Sequence, residues 1–228
     1  MRAVKRLRVI ADLINDDEKV VADIGCDHGY LSKILINENR AKQVIATDIS
    51  KPSLEKTAIL ASRYGINDKI ITKVGDGLKP IENENVDIVV IAGMGGFEII
   101  KILQDNKKTK YSKLIFQPVQ NSIELRSYLI KNNYKILKDF IIEDKGKFYN
   151  TLVVEFNNQN QILNSEEVEF GLTNFDLKSK DFYNYLLFYI NKYENIKKHI
   201  SSKDGVDEKI MMAKKIITQL YGENGKGE

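Results

Sequence analysis

The residues best placed to do chemistry are acidic and small rather than nucleophilic. Asp23-Ile-Gly25-Cys26-Asp27-His28-Gly29-Tyr30 continues a short apolar run from Val20 that reads as a strand. Glycine at 25 and 29 lets backbone approach a ligand closely, and the amides opening the helix that follows favour negative charge. A dinucleotide fingerprint would need glycine where this chain has Asp27 and Tyr30. A carboxylate facing a pyrophosphate is repelled, so the loop favours a ligand with a cationic end. S-adenosylmethionine, with a sulfonium and an ammonium group, is such a ligand.

Four further strand ends carry candidate chemistry. Asp48, followed by Ile49, closes the run Gln43–Asp48, where a carboxylate can accept two hydrogen bonds from ribose hydroxyls. Gly75-Asp76-Gly77 closes the next run, and Asp76 there can accept from an adenine amino group. The segment Ile91-Ala-Gly93-Met94-Gly95-Gly96 is flexible at a place where flexibility is costly. It demands either a tight strand-to-helix turn or close approach to a flat ligand. Gln117, before Pro118, offers a side-chain amide beside a rigid turn. Cys26, His28, Gly75, Gly77 and Gly93 complete the expected cofactor contacts around Gly25, Asp27, Gly29, Asp48, Ile49 and Asp76.

The elements that must hold these loops alternate. Strand runs are expected at Val20–Gly25, Gln43–Asp48, Lys69–Gly75, Val86–Ala92 and Lys113–Gln117, with helices at Tyr30–Asn37, Pro52–Tyr64, Phe97–Gln104 and Ile123–Lys131. Two more runs, Tyr134–Glu143 and Phe148–Phe156, flank Asp144-Lys-Gly146, the turn of a hairpin. Buried strands alternating with helices predict an α/β, doubly wound, mostly parallel sheet of seven strands with an antiparallel C-terminal edge hairpin. An amphipathic helix over Ala3–Ile14 precedes it. After a polar linker, Asn157–Asn164, two heptad-patterned segments around Phe182–Ile200 and Val206–Leu220 predict a C-terminal coiled-coil-like helical hairpin. The expected domains are therefore 1–156 and 165–228.

Composition narrows the classes. The chain has 228 residues, 43% of them hydrophobic, and a net charge of +3, which excludes wholesale disorder and proves no polyanion partner by itself. The first 156 residues carry 25 basic and 21 acidic side chains, the rest 10 and 11, so a polyanion is expected to meet the first segment. No apolar run approaches the roughly 20 residues needed to cross a bilayer. One cysteine and two histidines argue against a structural metal site and suit a reducing cytoplasm.

The motifs Asp-His-Gly-Tyr-Leu (27–31), Gly-Asp-Gly-Leu (75–78), Ile-Ala-Gly-Met-Gly-Gly (91–96) and Gln-Pro (117–118), in this order, resemble the bacterial tRNA (adenine(22)-N1)-methyltransferase family. The resemblance implies a class I, Rossmann-like methyltransferase sheet, S-adenosylmethionine as methyl donor, tRNA as partner and a helical C-terminal part. Members of that family often carry asparagine after Gln-Pro, where this chain has Val119.

Adenine N1 has a free lone pair at neutral pH, so transfer needs alignment rather than a strong base. Asp27 either offsets the positive charge that moves onto the base or anchors the cofactor's ammonium. Tyr30 either stacks on a ligand or packs at its helix start. Gly93 and Met94 are expected beside the reacting atoms, with Gly95, Gly96 and Gln117 at the base. Arg6 and Arg8, with Arg2 and Lys5, either grip phosphate or form the wet side of a helix. A non-catalytic cofactor- or RNA-binding scaffold and a small-molecule methyltransferase stand as alternatives. A monomer or weak homodimer is expected.

Overall fold

The computed structural model describes residues 5–14, 19–106, 111–158, 161–201 and 203–222. Arg2 and the turn at 15–18 lie outside them. Seven strands form one sheet: β1 (Val20–Ile24), β2 (Gln43–Asp48), β3 (Ile70–Val74), β4 (Ile88–Ala92), β5 (Lys113–Gln117), β6 (Tyr134–Asp144) and β7 (Lys147–Phe156), in the order β3-β2-β1-β4-β5-β7-β6. The first five pair in parallel, and β7 pairs antiparallel with both β5 and β6. The order reverses between β1 and β4, which opens a crevice above their carboxyl ends.

Alternation along β4 explains why helices cover both faces. Ile88 and Val90 point to one layer, formed by α1 (Lys5–Asp12), α2 (Tyr30–Asn37) and α3 (Lys51–Arg63) through residues such as Ile10, Leu35 and Leu54. Val89 and Ile91 point to the other, formed by α4 (Gly96–Gln104) and α5 (Ser122–Lys131) through Ile99, Ile102, Leu125 and Leu129. Ser50 caps α3, its side chain accepting from the Ser53 amide, with Pro52 in the first turn. The β6–β7 turn contains only Lys145 and Gly146, both left-handed at φ 54° and 72°. Such a two-residue turn matches the twist of its strands.

Two short helices, α6 (Ser165–Phe170) and α7 (Asn174–Leu177), escape the heptad reading. They precede α8 (Lys180–Lys197) and α9 (Asp204–Tyr221). Tyr183 meets Tyr221 while Lys197 meets Asp207, so α8 and α9 run antiparallel and close their seam within the chain. The segment expected to be a linker is engaged: Gln161 accepts from the Ile136 amide at 2.8 Å and donates to its carbonyl at 3.0 Å.

The same chemistry continues along the outer strand. The amides of Asp139, Ile141 and Glu143 donate to Thr173 Oγ1, Asn174 Oδ1 and Asp181 Oδ2 at 2.8, 2.9 and 3.0 Å. Side chains of the C-terminal part thus occupy alternate donors of an edge that would otherwise template pairing. Arg126, wholly buried, forks onto Asp139 and also donates to Asn150 and to the Val168 and Glu169 carbonyls. One guanidinium therefore ties α5, both hairpin strands and α6 together.

Candidate active site

The expected cofactor loops converge above β1, β2, β3 and β4. A cavity of about 140 Å3 lies there, with Gly25, Asp48, Ile49, Asp76 and Met94 in its wall. Gly75, Gly77 and Thr47 also border it. Asp48 holds the first loop in place: one carboxylate oxygen accepts from the Asp27 amide at 3.1 Å, the other from the Ser50 amide at 2.9 Å. Asp27 itself sits at φ 51°, in the left-handed region. Its mostly exposed carboxylate meets His28 Nδ1 at 2.8 Å, and His28 Nε2 lies 3.1 Å from Lys56 Nζ. The His28 and Tyr30 rings stack at 6.0 Å. Asp27, His28, Tyr30 and Lys56 thus form one polar cluster, tied to Asp48 of the cavity wall through the Asp27 amide.

Beneath it lies a carboxylate absent from the expected contacts. Asp23 is buried on β1, accepts from Ser32 Oγ at 2.7 Å, and has its pKa raised to about 6, mainly by desolvation. Burial, with Asp23 nearby, also pushes the Cys26 thiol up to about 12, which makes it inert packing rather than a nucleophile. Asp48, Asp76, Glu98 and Asp105 in the cavity wall give it a negative balance suited to a cationic ligand. Lys79 pairs with Asp76 at 3.3 Å, and Lys101 borders the same cavity.

The Gly93–Gly96 segment divides its labour. Gly93 is left-handed at φ 87°, and nothing lies within 4 Å of the place where a side chain would begin. Gly93 is exposed just past the end of β4, next to Met94, which borders the cavity. Gly96 is different: a Cβ there would stand 2.1 Å from the Asn121 carbonyl oxygen, so its smallness serves the protein's own packing. It is buried, which corrects its expected place against the base. Gly95 keeps an ordinary distance of 3.5 Å to Gln120. Met94 reaches back over Gly25, at 2.3 Å from a hypothetical Cβ, so glycine is needed there for the methionine as much as for a ligand.

Two other expectations are corrected. Gln117 is fully buried; its amide donates to Thr151 Oγ1 at 3.1 Å and to the Arg6 carbonyl at 3.4 Å, and its Oε1 has no partner among the described residues. Arg8 pairs with Glu38 at the end of α2, the edge of the sheet opposite the crevice. Its charge is committed to a network that also holds Arg40 and Asp12. Arg6 sits nearer the crevice end, over the Tyr149 ring at 5.8 Å. Sequence reasoning missed Glu98 and Lys101 on α4 and Asp105 at its C-cap, which line the cavity. Their spacing, three and four residues apart, marks one helix face and was the available signal.

A parallel sheet with a reversed edge, acidic strand ends and an open glycine turn at the switch point defines a Rossmann-like methyltransferase. Residues 21–222 match the family model described as tRNA (adenine(22)-N(1))-methyltransferase. The chain belongs to that family. It is 34% identical over 157 residues to the Bacillus subtilis tRNA (adenine(22)-N(1))-methyltransferase, covering 68% of this chain and 66% of that protein. The structure of Streptococcus pneumoniae Sp1610 superposes with a TM-score of 0.87 at 28% identity, over 94% of this chain and 99% of that one. The same protein in complex with S-adenosyl-L-methionine gives 0.83 at 27%, over 93% and 98%. M. capricolum TrmK in complex with S-adenosyl-homocysteine gives 0.80 at 29%, over 94% and 96%.

Proposed function

We infer that this chain transfers a methyl group from S-adenosylmethionine to N1 of an adenosine in tRNA, position 22 by family membership. The crevice fits the donor on its own chemistry. Four carboxylates, Asp48, Asp76, Glu98 and Asp105, stand in its wall, and the buried Thr47 hydroxyl on its border has no partner among the described residues. The donor supplies an electrophilic methyl; all else is positioning by the protein.

Asp48 is assigned to the ribose hydroxyls and Asp76 to the adenine amino group of the donor. The Gly25–Gly29 loop, with Cys26 and His28 in its backbone and Ile49 beside it, holds the donor's amino-acid end. Gly93 leaves room for the target base, and Met94 packs beside it. N1 attacks with its own lone pair, so no residue must remove a proton first. Positive charge then appears on the base, where the exposed Asp27 carboxylate offsets it; Tyr30 offers a stacking face. The target base leaves its stack to reach the crevice, at a cost of a few kcal/mol. In-line alignment can contribute about 7–11 kcal/mol. Arg6 is assigned to tRNA phosphate near the mouth. A tRNA substrate places the work in the cytoplasm.

The observation that carries this reading is the cavity at the switch point, walled by the acidic strand ends Asp48 and Asp76 with Gly25, Gly75 and Gly77, and by Met94, whose chain neighbour Gly93 is open. Incubating the protein with labelled donor and a tRNA transcript, then mapping the product, tests it. Label at N1 of one adenosine is expected. Cofactor binding without transfer would favour a scaffold, and transfer to metabolites that tRNA does not compete for would favour small-molecule chemistry.

A further inference from the structure

A second cleft, of about 590 Å3, lies between residues 119–124, the tip of the β6–β7 hairpin and α8. That volume is within the roughly 300–1,000 Å3 usual for ligand clefts. One wall is aromatic. Phe148 stands 5.3 Å from Phe188 and 5.4 Å from Tyr185, and Tyr189 stands 4.6 Å from Tyr193. Most of these rings pack, but Phe188 remains 50% exposed at the opening. The opposite wall, Gln120, Asn121 and Ser122, is made of amides and a hydroxyl.

The charges are also disposed for a ligand. Lys147 and Lys192 border the cleft, and neither has a carboxylate partner among the described residues. Glu169, deeper inside, is held by Lys209 and the Tyr189 hydroxyl, so its charge is already balanced. Glu124 is the remaining opposing group. The cleft is not isolated from the crevice: the Val119 amide donates to the Met94 carbonyl at 3.0 Å and the Gly96 amide to the Gln120 carbonyl at 2.9 Å. A single turn, 119–121, separates the two.

We propose that this cleft is a second nucleotide site, which stacks an unpaired tRNA base other than the methylated one on Phe188 while Lys147 and Lys192 meet its phosphates. The proposal rests on the reading of the crevice as a tRNA-methylating site. A strand whose reacting base enters at Gly93 passes over the 119–121 turn and delivers a neighbouring nucleotide to the rings. Aromatic faces accept any base, and the lysines neutralise the backbone, which is how unpaired nucleic acid is commonly held.

The chain contains no tryptophan, so Phe188→Trp installs a single reporter. A tRNA transcript is expected to quench its emission and shield it from iodide. Phe188→Ala is expected to weaken tRNA binding about 5- to 150-fold, whereas Phe188→Tyr, which keeps the ring face, retains affinity. Lys192→Ala is expected to lower the slope of log affinity against log salt by about one. Cofactor affinity stays unchanged in all four. If the wild type methylates the transcript but Phe188→Ala binds it equally well and the reporter emission does not change, the proposal is overturned and the crevice reading stands. A wild-type protein that binds cofactor but never methylates tRNA overturns both. An acidic peptide that quenches the reporter as strongly as a single-stranded oligoribonucleotide overturns the nucleotide assignment alone.

Discussion

At the level of single residues, two carboxylates are under opposite constraints. Asp48 bridges the Asp27 and Ser50 amides and is also the assigned ribose acceptor. Asp48→Ala is expected to weaken cofactor binding about 10- to 100-fold, the loss of one or two charge-assisted hydrogen bonds. It should cost roughly 1 kcal/mol of stability, and calorimetric titration beside thermal unfolding separates the effects. Unchanged affinity would remove the ribose assignment. Asp23 has its pKa raised from 3.8 to about 6 by burial. Well below pH 3.8 its carboxyl is neutral whether the chain is folded or not. Between about 4 and 6 the unfolded chain has released a proton that the folded chain keeps, so this residue's contribution to stability falls as pH rises. Asp23→Asn removes that fall. Relative to wild type, its stability is expected to rise by about 1–3 kcal/mol between pH 3.5 and 8, read from denaturant melts across that range; a flat difference would contradict the buried-acid description.

Among the elements, the Arg126 clamp dominates. Arg126 and Asp139 are both fully buried, and the guanidinium's other donors go to Asn150 and the end of α6. Breaking one side leaves an uncompensated charge, so Arg126→Ala or Asp139→Ala is expected to cost about 3–5 kcal/mol. A loss below 1 kcal/mol in urea unfolding would show that water replaces the partner freely. The sequence could not announce this pair. Arg126 lies inside a helix of weak amphipathic pattern and Asp139 in a strand, thirteen residues apart, and their meeting depends on how α5 crosses the hairpin. By contrast the parallel strands were legible, because residues such as Val89, Val90 and Ile91 are buried on both faces and must all be apolar. The capping box at Asn164 and Glu167, which starts α6, was also present to be read; the helix it opens is six residues long, too short for a periodic signal.

Taken as a whole molecule, the C-terminal helices are not a detachable RNA-binding tail. They cover the β6 edge through Thr173, Asn174 and Asp181 and provide two of Arg126's acceptors. Truncation at residue 158 is therefore expected to lower the melting temperature sharply and to promote self-association, measured by light scattering, before any question of tRNA affinity arises. A truncated chain that stays monomeric with an unchanged melt would show that the edge protects itself.

The chain's own order of residues determined the alternating elements, the acidic and glycine-rich strand ends and the crevice they surround, because those are local: each loop follows its strand, and a doubly wound sheet carries all such loops to one edge. Only the tertiary structure decided that Gly96 yields to the Asn121 backbone, that Gln117 is buried against Thr151 and Arg8 is paired with Glu38, and that rings on α8 border an open cleft. Those outcomes depend on what distant segments place against each side chain, and no spacing along the chain records it.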